Sequence, residues 1–268
     1  MKDQIDIHAL LWQNISELPY FRGFLRSIEG NYFRKLVIEE QVLDLGCGDG
    51  HFSLRTLPNT QMQGIDPSFT SLQFADSQNY YSGLVCSIGN YLPFKKSAYK
   101  TIISNSVLEH IPDVDSVINE VVRVLKPGGK FIITVPNSNF TKYLSTALFF
   151  ERLGIKVLAN GYRRFFNWIS RHYHPDPTEI WLDRLKKQGL LVIKCWNYFP
   201  PEYLKILEWG HFFGLPSWLN FKIFGRWVLY PSKANYLLKR IYFWLYPYYA
   251  GGTKSLIGAY TFIVAEKQ

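Results

Sequence analysis

Gly46, Gly48 and Gly50 follow the apolar run Val42-Leu43-Asp44-Leu45 at alternate positions. A turn built this way reaches backbone angles that other residues resist, and a chain without Cβ atoms lets a ligand come close. Asp66 stands twenty residues after Gly46. A carboxylate at that distance accepts two hydrogen bonds from a ribose diol. Imidazoles exchange protons near neutrality, and two groups of them are candidate bases: His110 beside Glu109, and His172 with His174. Together these residue types suit a small polar cofactor carrying a ribose, with a proton taken from a second substrate.

The surrounding pattern supplies elements to hold them. Val42 to Leu45 reads as a buried strand, the glycines as a tight turn and Phe52 as the start of a helix. The free N–H groups of that helix point back at the turn. Further strands are expected at Met62–Asp66, Leu84–Cys86, Thr101–Ser104, Lys130–Val135, Leu190–Trp196 and Ala259–Ala265. Helices are expected from about Val114 to Leu125, stopped by Lys126-Pro127-Gly128-Gly129, and from Pro175-Asp176-Pro177-Thr178 to Gln188. Such alternation predicts an α/β doubly wound sheet. Two helices divided by Pro19 precede it, and they either roof the cofactor pocket or flank the sheet. Asn31, Tyr32 and Phe33 are close enough in sequence to the glycine loop to touch a substrate.

The G-x-G-x-G spacing, with Asp44 two residues ahead, differs from the dinucleotide fingerprint G-x-G-x-x-G. It resembles motif I of the class I S-adenosylmethionine-dependent methyltransferases. The run Ile102 to Pro136 resembles the type-11 methyltransferase domain, with a strand, a Leu-Glu-His turn, a helix, Leu-Lys-Pro-Gly-Gly and a strand. This resemblance covers Val42 to Asn137 firmly. It implies a Rossmann-like seven-stranded sheet of order 3-2-1-4-5-7-6 with the last strand antiparallel. It also implies S-adenosylmethionine as cofactor, held by Asp44, Gly46, Cys47, Gly48, Gly50, Asp66, Pro67, Ser87, Ile88, Asn105 and Glu109. The family often places an acid after the third strand for the adenine amino group. Here Cys86-Ser87-Ile88-Gly89-Asn90 lacks it, and Ser87, Asn90 or backbone groups are the replacements. Some ubiquinone-pathway O-methyltransferases, whose Leu-Glu-His turn is similar, add an acid three positions before the Glu and bind a divalent ion. Ser106 stands there, so no metal is expected.

The 268 residues, 47% hydrophobic and 19% charged, suit a globular chain. Three expected units are a helical cap (1–40), a cofactor-binding domain (41–196 and 259–268) and an insertion (197–258). The insertion holds many of the aromatics that make up 17% of the chain. Trp209, Trp218, Phe221, Phe224, Trp227, Tyr230 and Trp244 interleave there with Lys222, Arg226, Lys233, Lys239 and Arg240. That composition suits a membrane headgroup layer, a homodimer interface or a lid. Cys47, Cys86 and Cys195 fit no metal spacing, and no secretory leader pattern opens the chain, so a cytoplasmic or peripheral membrane setting is expected.

A net charge of +9 suits nucleic acid, an anionic surface or an ordinary basic protein. Nucleic acid is disfavoured because Ser104-Asn105-Ser106-Val107 does not resemble the Asn/Asp-Pro-Pro-aromatic turn of amino-methylating nucleic-acid enzymes. A second basic cluster, Arg163, Arg164, Arg171, His172 and His174, could hold an anionic substrate group or be a solvated face. The expected activity is methyl transfer to a small or lipid-linked acceptor, with oxygen favoured. Its alternatives are a non-catalytic membrane-surface protein and an RNA methyltransferase. His110 is the first candidate base and His172 the second.

Overall fold

The computed structural model describes residues 7–213, 219, 227–228 and 235–268. Its strands are Val42–Leu45 (β1), Met62–Asp66 (β2), Gly83–Cys86 (β3), Tyr99–Asn105 (β4), Leu125–Pro136 (β5), Leu190–Tyr198 (β6) and Tyr260–Lys267 (β7). They form a seven-stranded sheet in the order β3-β2-β1-β4-β5-β7-β6. Only β7 runs antiparallel to its neighbours, β5 and β6. The order and the reversed strand are those the resemblance implies. The chain changes direction between β1 and β4, so a crevice opens at their carboxyl ends.

Helices cover both faces. One face carries Val114–Val124 (α5) and Thr178–Lys187 (α9), where Val117, Val121 and Trp181 are buried against Phe131 and Ile263. The buried positions of α5 recur at helical spacing, the pattern of one face turned to a core. The other face carries Ile7–Glu17 (α1) and Tyr20–Arg34 (α2), whose Leu11, Phe24 and Phe33 bury against the sheet residues Val42 and Phe262. Between β1 and β3 lie His51–Thr56 (α3) and Phe69–Ser77 (α4). Asn139–Lys142 (α6), Ser145–Arg152 (α7) and Lys156–Ser170 (α8) follow β5.

Three local expectations change. The helix ends at Val124, as expected, but the Lys-Pro-Gly-Gly segment lies within the following strand and not ahead of it. Strand β5 already begins at Leu125, paired with Tyr99 across an irregularity. Tyr32 does not reach the glycine loop. Its hydroxyl bonds Thr253 at 2.5 Å, and its ring packs edge-on against Trp196, Tyr198 and Phe262. Phe33 lies between Phe52 and Phe262 in the core.

Within the insertion, Pro201–Phe213 (α10) and Tyr236–Ala250 (α11) pack on the N-terminal helices, through Phe24–Tyr203 and Trp12–Tyr242 ring contacts. Trp218, Phe221, Lys222, Phe224, Arg226, Tyr230 and Lys233 lie outside the described residues. No helix among those described is long and apolar enough to cross a membrane.

Glu208, fully buried on α10, fastens the start of α7. Its carboxylate accepts from Ser145 N at 2.6 Å, Ser145 Oγ at 2.7 Å, Thr146 N at 3.0 Å and Tyr162 Oη at 2.9 Å. Removing it strands four donors. Glu208→Ala is therefore expected to lower the unfolding free energy by about 3 kcal/mol. The shift would be read from the urea midpoint.

Candidate active site

The glycine loop joins β1 to α3 at the crevice. A Cβ on Gly46 would meet the Val107 side chain at 2.5 Å, and its φ of +77° already excludes most residues. Gly48, with φ +55°, has nothing within 4 Å of its missing Cβ. It lines a cavity of about 280 Å³, together with Asp44, Gly46, Cys47, Asp49, Phe52 and Asn105.

Asp66 ends β2 with its carboxylate turned onto this loop. Oδ2 accepts from Gly48 N at 2.9 Å and Oδ1 from Ser68 N at 2.8 Å. Asp44 is buried, and burial pushes its carboxyl up to about 6 against the pull of Ser53 and Tyr81. Ser53 Oγ at 2.5 Å and Tyr81 Oη at 2.7 Å both donate to its Oδ2. Asp44 thus anchors α3 and the segment before β3 as well as lining the cavity.

A second cavity, of about 760 Å³, adjoins the first. Arg22, Arg26, Ser106 and Trp227 line both. Its own walls include Phe21, Leu25, Phe140, Leu207, Tyr260 and the three histidines His110, His172 and His211. His110 Nδ1 lies 2.9 Å from Arg171 O. A carbonyl only accepts, so Nδ1 carries the proton; Nε2 stands 3.8 Å from Glu109 Oε1, beyond a hydrogen bond, and can accept one. Burial, with the nearby charges of Arg26 and Arg171, lowers the affinity of His110 for a proton. The His172 ring lies tilted against His110 at 5.3 Å and edge-on to Phe140 at 4.8 Å. Burial pushes it down to about 3, so it is neutral.

Several sequence expectations are redirected. Glu109 lines the second cavity and not the one along the glycine loop. It is 1% exposed, its Oε2 has no partner, and burial raises its carboxyl to about 8, so it is protonated at neutral pH. Gly50 faces Tyr81, 2.8 Å from its missing Cβ, and shapes the turn without lining the cavity. Asp66, at the end of β2, and Pro67, Ser87 and Ile88, past the ends of β2 and β3, lie outside the cavity lining; Asp66 borders it through Gly48 N. Ser87 Oγ donates to Tyr91 O and Asn90 Nδ2 to Asp113 O, which leaves each an acceptor atom for an adenine amino group.

The basic cluster comes apart. Arg163 binds Glu151 at 2.7 Å and Thr141 O at 3.2 Å, while His174 is held by Pro112 O and Asp176. Arg171 and His172 alone of that cluster reach the cavity. Glu109, His110 and His172 each offer one metal-ligand atom, all within 4.8 Å of one another.

The sequence reading missed the contribution of α2. Arg22, Arg26 and Glu29 lie at i, i+4 and i+7, one face of an otherwise apolar helix, and that stripe was the available signal. Arg26 pairs with Glu29 at 3.0 Å and lies over the Phe52 ring. The fully buried Glu29 also accepts from Asn105 Nδ2 at 2.9 Å, Tyr198 Oη at 2.8 Å and Ser106 Oγ at 3.3 Å. Burial pushes its carboxyl up, and Arg26 and the hydroxyl donors pull it down. This cluster joins α2 to the ends of β4 and β6, so the N-terminal helices do roof the crevice. Another cavity, of about 540 Å³, opens among Val42, Met62 and Tyr99 at the opposite, amino ends of the strands. Ligands of doubly wound sheets do not bind there.

Comparison with known proteins agrees with this fold. Residues 38–154 match a family model described as a methyltransferase domain. The chain is 23% identical over 251 residues to the mitochondrial ubiquinone biosynthesis O-methyltransferase of Homo sapiens, covering 88% of this chain and 65% of that protein. It is 34% identical over 127 residues to a ubiquinone/menaquinone biosynthesis C-methyltransferase of Desulfotalea psychrophila, covering 44% and 51%. The chain thus spans between about half and two thirds of the length of these curated relatives. Among solved structures, the fold is shared with geranyl diphosphate C-methyltransferase from Streptomyces coelicolor, at TM-score 0.55, 13% identity and coverage of 93% and 82%. It is also shared with a methyltransferase from Thermotoga maritima, at TM-score 0.54, 14% identity and coverage of 98% and 91%. Residues 38–154 thus match a methyltransferase domain, on the fold that S-adenosylmethionine-dependent methyltransferases share, and S-adenosylmethionine is the cofactor these likenesses support.

Proposed function

We propose that the chain transfers a methyl group from S-adenosylmethionine to an oxygen of a small or lipid-linked acceptor. One observation carries the reading: Gly48, with open space where its Cβ would stand, lines a cavity that adjoins a second one, walled in part by aromatic side chains and holding an imidazole nitrogen that makes no hydrogen bond among the described residues. The cofactor supplies a methyl group made electrophilic by its sulfonium. Gly46, Gly48 and Asp49 seat the methionine end, and Asp66 accepts from the ribose diol. The chain's remaining task is alignment, which carries much of the acceleration in such transfers. A hydroxyl acceptor must lose its proton, and His110 Nε2, its tautomer fixed by Arg171 O, takes it as the oxygen gains the methyl group. Ubiquinone-pathway relatives support a hydroxyl on an apolar molecule as acceptor.

The pH dependence has two limbs. Below the lowered proton affinity of His110 the base is charged and the rate falls. Above about 8 the buried Glu109 ionises, which its apolar surroundings oppose. The folded carboxyl of Glu109 sits above its unfolded value, so its contribution to stability is present at acid pH and lost as pH rises through about 8. His110→Ala is expected to slow methyl transfer about a hundredfold and remove the acid limb. Glu109→Gln is expected to remove the alkaline limb. Both are read from kcat/KM across pH.

Radiolabelled S-adenosylmethionine incubated with extracted cell lipids tests the reading directly. Label is expected in the lipid phase. Label confined to water-soluble products would name a small acceptor, and no label in either phase would contradict the activity. The missing acid after β3 favours one rival, a fold that binds nothing and serves as a surface scaffold; cofactor binding separates the two. Peripheral membrane contact belongs to the same proposal. Tyr236, Leu237, Phe243 and Trp244 are exposed on α11 beside exposed Lys239 and Arg240. Flotation with anionic vesicles is expected to carry the chain upward, whereas self-association through the same residues would appear as a dimer in sedimentation without vesicles.

A further inference from the structure

The wall of the second cavity is cationic. Arg22, Arg26 and Arg171 all line it. The charges of Arg26 and Arg171 both bear on His110, and that of Arg22 bears on His211, so all three act across the same space. Arg26 is matched by Glu29. Arg22 and Arg171 have no ion-pair partner among the described residues; Arg22 lies 5.5 Å over the Trp227 ring and feels the charge of Asp49. Glu109 is the one acid on the wall, and its buried Oε2 has no hydrogen-bond partner among the described residues.

The cofactor does not neutralise this wall. Its sulfonium and ammonium outweigh its carboxylate by one charge, and that carboxylate can engage only the arginines shared with the cofactor cavity, Arg22 and Arg26. Arg171 lines the second cavity alone. Unmatched guanidinium groups beside a cationic cofactor call for negative charge from the remaining ligand. Phe21, Phe140 and Leu207 on the same wall call for an apolar body.

We propose that the acceptor is an amphiphilic anion, its apolar body against Phe21, Phe140 and Leu207 and a phosphate- or carboxylate-type group held by Arg171 with Arg22. The assignment rests on the methyltransferase reading above and narrows its substrate class. It also explains why Arg171 carries two duties: its carbonyl orients His110 while its side chain holds the molecule that His110 deprotonates.

Calorimetry with decyl phosphate below its micelle-forming concentration tests this, with decyl glucoside as the neutral match and inorganic phosphate as the headgroup alone. The full chain is titrated with and without saturating S-adenosylhomocysteine. Decyl phosphate is expected to bind one site per chain, about tenfold or more tighter than either control. Arg171→Gln, which keeps the carbonyl, is expected to weaken it about tenfold, and Arg171→Lys only about threefold. Neither substitution should move the affinity for S-adenosylhomocysteine, and unchanged melting temperatures confirm that both variants fold. Equal binding of decyl phosphate and decyl glucoside would overturn the proposal, as would an Arg171→Gln variant that binds like the wild type. Inorganic phosphate binding as tightly as decyl phosphate would overturn its amphiphilic part. Failure of S-adenosylhomocysteine to bind strikes the methyltransferase reading instead, and the titrations without it still decide the preference for charge.

Discussion

Gly48→Leu is expected to abolish binding of S-adenosylhomocysteine, by about a hundredfold or more, while the chain still folds. Nothing in the protein lies within 4 Å of the missing Cβ, so the new side chain meets no neighbour at its root. The left-handed φ of +55° costs about 1–2 kcal/mol, small beside the stability of a domain. Gly48 lines the cavity along the loop, and the leucine is expected to occupy it. Gly46→Ala is the contrasting case, since its methyl would collide with Val107 at 2.5 Å and damage the turn itself. Calorimetry together with thermal melting separates the outcomes. A Gly48→Leu protein that melts normally and binds within about threefold of wild type would show that the cofactor lies elsewhere.

Glu29→Ala is expected to cost about 3–5 kcal/mol of stability and to loosen the crevice. The substitution leaves Arg26 without its counter-charge and withdraws the acceptor from Asn105, Ser106 and Tyr198. Asn105 and Ser106 line the cofactor cavity, and Arg26 and Ser106 line both cavities. Stability and cofactor affinity should therefore fall together. Glu29→Gln keeps the volume and one acceptor oxygen, and is expected to retain about half of the lost stability. Urea denaturation and binding titrations on the two variants check this. A stable Glu29→Ala protein with normal affinity would remove α2 from the account of the site.

What the sequence made legible was local. The apolar run, the alternating glycines and Asp66 lie within a short stretch, and strand, turn and helix geometry fixes their relation. The sheet order came through the resemblance, because no periodicity tells which strands are neighbours. The misses share a cause. Tyr198 reaches Glu29 across 169 positions of sequence, and Tyr81 reaches Asp44 across 37. Contacts of that kind follow from the packing of distant elements. Glu109 was assigned to the cofactor because it sits at the right edge of the sheet. Which cavity a side chain lines depends on the twist of a single turn, here the 3₁₀ turn Leu108–His110, and Glu109 lines the second. Arg22 and Arg26 were readable in principle as a charged stripe on α2, but only the fold shows what that stripe faces.

The central claim is that the loop after β1 and the carboxylate ending β2 together hold S-adenosylmethionine. Titration of S-adenosylhomocysteine into the wild type and into Asp66→Ala tests it most directly. One ligand should bind per chain, and the alanine variant, deprived of its ribose acceptor, should bind about tenfold to a hundredfold more weakly. No heat at about 1 mM ligand, or equal affinity in the two proteins, would contradict it.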